Sequence, residues 1–314
     1  MHRMNSTESS TLKRNPNTTI AIASSLLVIV VIISFLLMWE KPWRKLLPDS
    51  GYRYVIGVSQ LNLVSSREIA LQKEILDTVT PNPDYNVIFY NAGGNIETQK
   101  EQLDILISQK VDVLIIDTEE IFELPANIPL ILIGDKDMSG TKCDVLLVND
   151  YAAMGEMAAN FFEGTTSGKL DILELQSAPN SNRTKITKAG FRKGLSARGT
   201  IDYVVAGYDS DNTTRQRLSD SFEGSGEPTI NAIFAHDPEM AKAASSILPT
   251  IPTTCIAHSK DILTSSPPDA LIFASSGGKE AVNYAIKILE NKISDPVELL
   301  LPIELIVTDE GGGQ

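Results

Sequence analysis

The chain has 314 residues and a formal net charge of −13, with 27 Lys and Arg against 40 Asp and Glu. No long basic cluster stands outside the flanks of an apolar N-terminal run, which argues against a phosphate-binding face and against nucleic acid as a partner. Two cysteines, Cys143 and Cys255, and three histidines, His2, His236 and His258, match no disulfide or metal spacing; two buried thiols, no metal site and no cofactor are expected.

Residues 1–18 are polar, rich in Ser, Thr and Asn, and read as a disordered cytoplasmic tail. The run Ile20–Trp39, IAIASSLLVIVVIISFLLMW, carries no charge. About 20 apolar residues in a helix span the roughly 30 Å core of a bilayer, so residues 19–39 are expected to be a retained transmembrane anchor. A removable signal peptide would have a shorter apolar region, roughly 7–15 residues, and a small-x-small cleavage site. Here the run ends in Met38-Trp39-Glu40-Lys41-Pro42-Trp43-Arg44, without such a site, and no Cys stands close behind it for lipid attachment. Trp39 and Trp43 stand where indole rings favour the headgroup layer. Arg3, Lys13 and Arg14 before the run balance Lys41, Arg44 and Lys45 after it, so charge alone does not set the orientation.

Residues 40–51 read as a linker with Pro48 and Gly51. Compact apolar runs then alternate with helical periodicity. Strands are expected at Tyr54–Val58, Asn86–Tyr90, Val111–Ile116, Leu130–Ile133 and Val145–Val148. Between them lie helices at Ser66–Val79, with Ile69, Ile75, Leu76 and Val79 on one face, and at Ile96–Gln109, with Leu103, Leu106 and Ile107 apolar. The second half repeats the rhythm. Helices are expected at Ala152–Phe162, Thr184–Ala197, Asn212–Phe222, Pro238–Leu248 and Gly278–Asn291, the fourth with proline in its first turn. Strands are expected at Leu170–Leu175, Tyr203–Ala206, Ala232–Ala235, Thr253–Ala257 and Ala270–Phe273. Strands apolar on both faces and alternating with helices make parallel sheets covered by helices. The expected fold is therefore α/β, two doubly wound parallel-sheet lobes after one N-terminal transmembrane helix. Ligands of such sheets sit beyond the carboxyl ends of the strands, and two facing lobes would enclose one there.

From Tyr54 to about Thr308 the chain resembles the type I periplasmic sugar-binding proteins, the family of ribose- and galactose-binding receptors. The residues that carry the resemblance are Ile56-Gly57-Val58-Ser59-Gln60 followed by Ser66-Arg67, then Asn91-Ala92-Gly93-Gly94-Asn95, Gln99-x-x-Gln102-Leu103, and Gln109 to Ile116. Asn127-Ile128-Pro129-Leu130, Asn149-Asp150, Gly190-Phe191 and Phe234-Ala235-His236-Asp237-Pro238-Glu239-Met240-Ala241 continue it in order. The family works outside the cytoplasm, which orients the anchor. The resemblance implies a first lobe of residues 52–150 plus 275–300, a second lobe of 151–274 and a C-terminal segment of 301–314. It implies crossings near 149–152, 257–265 and 274–278.

Hydroxyl-rich ligands need carboxylates, amides and guanidinium groups that form complementary hydrogen bonds. Carried over position by position, the resemblance places Gln60 and Asn62 in the first strand–helix loop and Arg67 at the start of the first helix. Asn91 ends the second strand and Asp117 follows the third. Asp135 lies at or one past the family's sugar-binding Asp, with Gly134 the strict positional match. Arg183, or Lys185, stands for the Arg of the second lobe, and Asp237 for the Asn after the Phe-Ala-x element. Ser259 and Ser275 replace a family carboxylate and glutamine, and Leu61, Leu63 and Val64 fill the region of the stacking aromatic. Asp135 and Asp237 are expected to face each other across the cleft. Two readings stand for each residue: Arg67 as a ligand or a surface helix charge, Asp237 as a ligand or a helix cap, His236 and His258 as ligands or strand-end structure.

The function implied is a membrane-tethered solute-binding receptor that closes over a small polar ligand, a carbohydrate, and passes the signal to an ABC transporter permease or a histidine kinase. The alternative is a degenerate binding fold acting as a protein-interaction module. A repressor would need an N-terminal helix-turn-helix where the apolar run stands. Asp117, Glu119 and Glu120 could do acid–base work, but no nucleophile–base pattern accompanies them and no catalytic residue is assigned.

Overall fold

The computed structural model describes residues 51–308 except 64, 124, 126, 177–180, 197–198, 207–214, 219, 221–228 and 266–267, with backbone alone for 200–206 and 265. The expected tail, the anchor Ile20–Trp39 and all but the end of the linker lie outside the described residues, as does most of the helix expected at Asn212–Phe222. Among the described residues no helix is long and apolar enough to cross a membrane.

Among the described residues two six-stranded sheets organise the fold. The first, in the order β11-β5-β4-β3-β1-β2, contains β1 (Tyr54–Gln60), β2 (Tyr85–Asn91), β3 (Val113–Asp117), β4 (Leu130–Asp135), β5 (Val145–Asn149) and β11 (Val297–Leu300). The second, in the order β12-β10-β9-β8-β6-β7, contains β6 (Leu170–Gln176), β7 (Gly199–Ala206), β8 (Ala232–Ala235), β9 (Thr253–Ala257), β10 (Ala270–Ala274) and β12 (Ile303–Val307). Every recorded pairing is parallel except β10 with β12. β3, β4 and β5 are buried along their whole length, which is why their sequence runs apolar without alternation.

The helices are α1 (Ser66–Val79), α2 (Ile96–Ser108), α3 (Tyr151–Thr165), α4 (Asn182–Gly194), α5 (Pro238–Ile247), the short α6 (Ile262–Ser265) and α7 (Gly278–Leu289). In α1 the buried row is Leu71, Ile75 and Val79, at i, i+4 and i+8. Ile69 and Leu76, expected on that face, are instead 55% and 40% exposed. The sheet takes only the narrow i+4 row, and apolar residues one turn-step aside stay in solvent. Leu71, Ile75 and Val79 join Ile56, Val58, Val113, Ile115, Ile131 and Ile133 in the first core. Phe162, Phe191, Phe234 and Ile172 centre the core on one face of the second sheet.

The chain passes between sheets at 149–151, 274–278 and 300–303. The crossing expected at 257–265 does not exist, because β9 and β10 are parallel neighbours in the second sheet and α6 links them locally. β11 and β12 supply the third passage instead: four residues finish the first sheet, then Leu301-Pro302 leads five residues back antiparallel to β10. Cys143 and Cys255 are both free thiols; Cys255 is buried as expected, whereas Cys143 is only half-buried, and burial raises both.

Candidate functional site

Five strands of the first sheet end in a polar residue at the same edge: Gln60, Asn91, Asp117, Asp135 and Asn149. In register Gln60 stands beside Asn91 and Asp117, and Asp135 beside Asn149. Helix α1 starts next to this edge. Its Ser65-Ser66-Arg67-Glu68 start forms a capping box: Glu68 Oε2 accepts from Ser65 N at 2.9 Å and from the Ser65 hydroxyl. That cap orients the first turn so that Arg67 and Glu68, both buried, point at the strand ends.

Arg67 donates a bidentate pair to Asp117, Nη1 to Oδ2 at 3.0 Å and Nη2 to Oδ1 at 2.9 Å. Arg183, at the start of α4 in the second lobe, donates Nη2 to the same Asp117 Oδ1 at 2.9 Å and Nη1 to Glu68 Oε1 at 2.9 Å. Glu119 lies 3.6 Å from Arg183 Nη1 and Asp135 3.9 Å from its Nε. The guanidinium also stands 5.8 Å from the centre of the Tyr151 ring, within cation–π range. Burial alone would raise Asp117, but Arg67 and Arg183 override it and hold its carboxyl below the usual carboxylate range. Asp135 behaves oppositely: burial, with Glu119 nearby, pushes it up to about 6 against the pull of Arg183. Burial pushes Tyr151 up to about 12 and, with Arg67 adding to it, holds His258 neutral with a pKa lowered to about 3.

Further contacts cross the cleft. Asp237 Oδ2 in the second lobe accepts from Ser66 Oγ at 2.5 Å and Ser66 N at 3.3 Å in the first, while its Oδ1 caps α5 through Glu239 N at 2.9 Å. Glu119 Oε2 accepts from Asn182 N at 3.0 Å. Between these bridges lies a partly open chamber of about 100 Å³, lined by Asn62, Arg67, Glu119, Tyr151, Arg183 and Asp237 among others. His236, also in its wall, shares a 3.0 Å hydrogen bond with the buried Glu174, and His258 shares one of 2.8 Å with the Ala274 carbonyl.

The structure therefore brings Asn62, Arg67, Arg183 and Asp237 to one chamber, with Asp117 gripped by both guanidiniums. It does not bring the other three residues to the wall. Gln60 Nε2 donates to the Glu68 carbonyl at 3.2 Å and so holds α1. The Asn91 side chain is exposed and accepts from Gly93 N at 2.9 Å, closing its own turn. Asp135 meets Arg183 rather than Asp237, whose partner across the cleft is Ser66. Asp237 turns out to be both cap and cleft residue. Ser259 is exposed, and Ser275 Oγ bonds Glu280 and Gly277 N beside a crossing, so neither replaces the missing family polar groups. The residues missed are Ser66, Glu68 and Tyr151. Ser65-x-x-Glu68 was readable as a capping box; Tyr151, the cleft aromatic, comes from the first crossing rather than the first loop.

The family model of the periplasmic binding protein domain matches residues 68–249. The ribose import binding protein RbsB of Bacillus subtilis (strain 168) is 25% identical over 269 residues, covering 82% of this chain and 79% of that protein. Among solved structures, a galactofuranose binding protein superposes with a TM-score of 0.69 at 15% identity, covering 81% of this chain and 94% of its own. The fructose binding periplasmic domain of a hybrid two component system gives a TM-score of 0.64 at 20% identity, covering 81% and 90%. The two-lobed fold and the family match agree, and the chain belongs to the type I periplasmic binding proteins, a sugar-binding, non-enzymatic family.

Proposed function

We propose that the protein is a membrane-tethered extracytoplasmic receptor that closes two lobes over a sugar, and that residues 19–39 anchor it with the binding lobes outside. The observation that carries the binding reading is the chamber itself: carboxylates and guanidiniums from both lobes converge on one space at the carboxyl ends of the parallel strands of two sheets. Arg67, Asn62, Arg183 and Asp237 are the proposed ligand contacts, with Asp117 and Asp135 setting the charge behind them. Closure is selected by contacts that exist only when the lobes meet. The names of the relatives point to two outputs, import and two-component signalling, so the proposed partner is an ABC transporter permease or a histidine kinase.

The test is a thermal-shift screen of pentoses, hexoses and their derivatives on the detergent-purified full-length protein. A ligand at a hundred times its dissociation constant stabilises by about 2.7 kcal/mol. No shift with any of them would favour the interaction-module alternative, in which Arg183 simply plugs the cleft.

A further inference from the structure

A second concavity of about 650 Å³ opens beside the chamber, between α1 of the first lobe and α5 and the 258–262 segment of the second. Ser65, Ser66, Asp237 and His258 line both spaces, so the two adjoin across the Ser66–Asp237 hydrogen bond, which a ligand occupying both would replace. The chamber alone, about 100 Å³, falls below the roughly 300–1,000 Å³ of ordinary small-molecule sites; the outer groove falls within that range. The two differ in chemistry as well. The chamber is ionic, whereas the groove carries Ile69, Ala70, Met240, Ile262 and Phe273. Ile69 is the apolar residue that α1 leaves 55% exposed, off its buried row. Three lysines at the rim are each tied to a carboxylate: Lys73 to Asp77, Lys242 to Glu239 and Lys260 to Glu304. Glu74, Asp237, Glu239 and Asp261 also line the groove, so its carboxylates outnumber its lysines and a substituent without negative charge suits it.

Building on the sugar-receptor reading, we infer that the ligand is a sugar bearing a neutral apolar substituent, an aryl or alkyl glycoside. The sugar ring enters the chamber and the substituent lies in the outer groove. Because the groove has one wall from each lobe, the substituent adds contacts that only the closed form provides, and so favours closure.

Isothermal titration of the full-length protein with free ribose, galactose and arabinose, and with their methyl and 4-nitrophenyl glycosides, tests this. The aryl glycoside of the preferred sugar is expected to bind at least about tenfold more tightly than its methyl glycoside, the factor that burying one ring face supplies. Ile69→Asp, an exposed substitution that leaves the chamber intact, is expected to remove that gap while free-sugar affinity stays unchanged. Equal affinities for methyl and aryl forms, or a gap that survives Ile69→Asp, overturns the outer-groove assignment and leaves the sugar-receptor reading standing. Binding of the free sugar but of neither glycoside does the same. No binding by any member of the panel overturns both.

Discussion

Both carboxylate oxygens of Asp135 are buried without a hydrogen-bond partner among the described residues, although Arg183 Nε lies 3.9 Å away. A buried carboxylate without hydrogen bonds is costly when ionised. Burial raises Asp135 to about 6, so the folded state holds its proton more tightly than the unfolded chain does. The stabilisation from this group is complete below the ordinary carboxylate pKa of about 4 and is lost as pH rises through about 6. Asp117, lowered by Arg67 and Arg183, has the opposite sign: its contribution is present above about 4 and is lost as pH falls through its folded-state value. Asp135→Asn should therefore stabilise the protein by about 1–3 kcal/mol at pH 8, with the gain vanishing near pH 4. Thermal melts of both forms across that range check this, and a gain independent of pH would contradict it. Arg67, Asp117 and Arg183 were legible because the resemblance carries them at matching positions. The isolation of Asp135 was not, since it depends on where the Arg183 fork points.

Helices α3 and α4 meet through glycine. A Cβ at Gly155 would run into the Thr187 carbonyl, and one at Gly190 into the Ala152 carbonyl. The obstacle in each case is backbone, which cannot turn aside as a side chain would. Gly190→Ala gains about 1 kcal/mol of helix propensity but loses about 2–3 kcal/mol to overpacking, so a net destabilisation is expected. Because α4 carries Arg183 in its first turn, the same variant should also weaken sugar binding; calorimetry alongside denaturant titration separates the two effects. The starts of α1 and α5 meet through Ser66 and Asp237. Asp237→Ala removes a cap worth about 1 kcal/mol and also the bridge between lobes. A double-mutant cycle with Ser66→Ala should show coupling of at least about 0.5 kcal/mol in ligand affinity; additivity would leave Asp237 as a cap alone. Element order was readable from periodicity for β1 to β10. β11 and β12 were not, because Val297–Leu300 and Ile303–Val307 are short, half-exposed and parted only by Leu301-Pro302. Their sheet membership gives the third crossing, and local pattern does not say which of two sheets a strand joins.

At the scale of the whole two-lobed body, Arg183 explains why the cleft is shut. The first lobe presents Glu68, Asp117, Glu119 and Asp135 around Arg67, the one cation paired with them from that lobe among the described residues. Arg183 is the counter-charge, and it comes from the other lobe. Opening the hinge withdraws it and leaves those carboxylates to repel one another, so Arg183 favours the closed form alongside the contacts a ligand adds. Removing one member of a buried charged network costs about 3–5 kcal/mol. That is enough to shift a two-state equilibrium more than about a hundredfold. Arg183→Ala is therefore expected to open the lobes, and Arg183→Lys, which keeps the charge but loses the fork, to open them partly. Small-angle scattering without ligand should show a larger radius of gyration for Arg183→Ala than for the native chain. If the native protein and Arg183→Ala scatter alike without ligand, closure has another cause, and the chamber's charge balance does not govern the hinge.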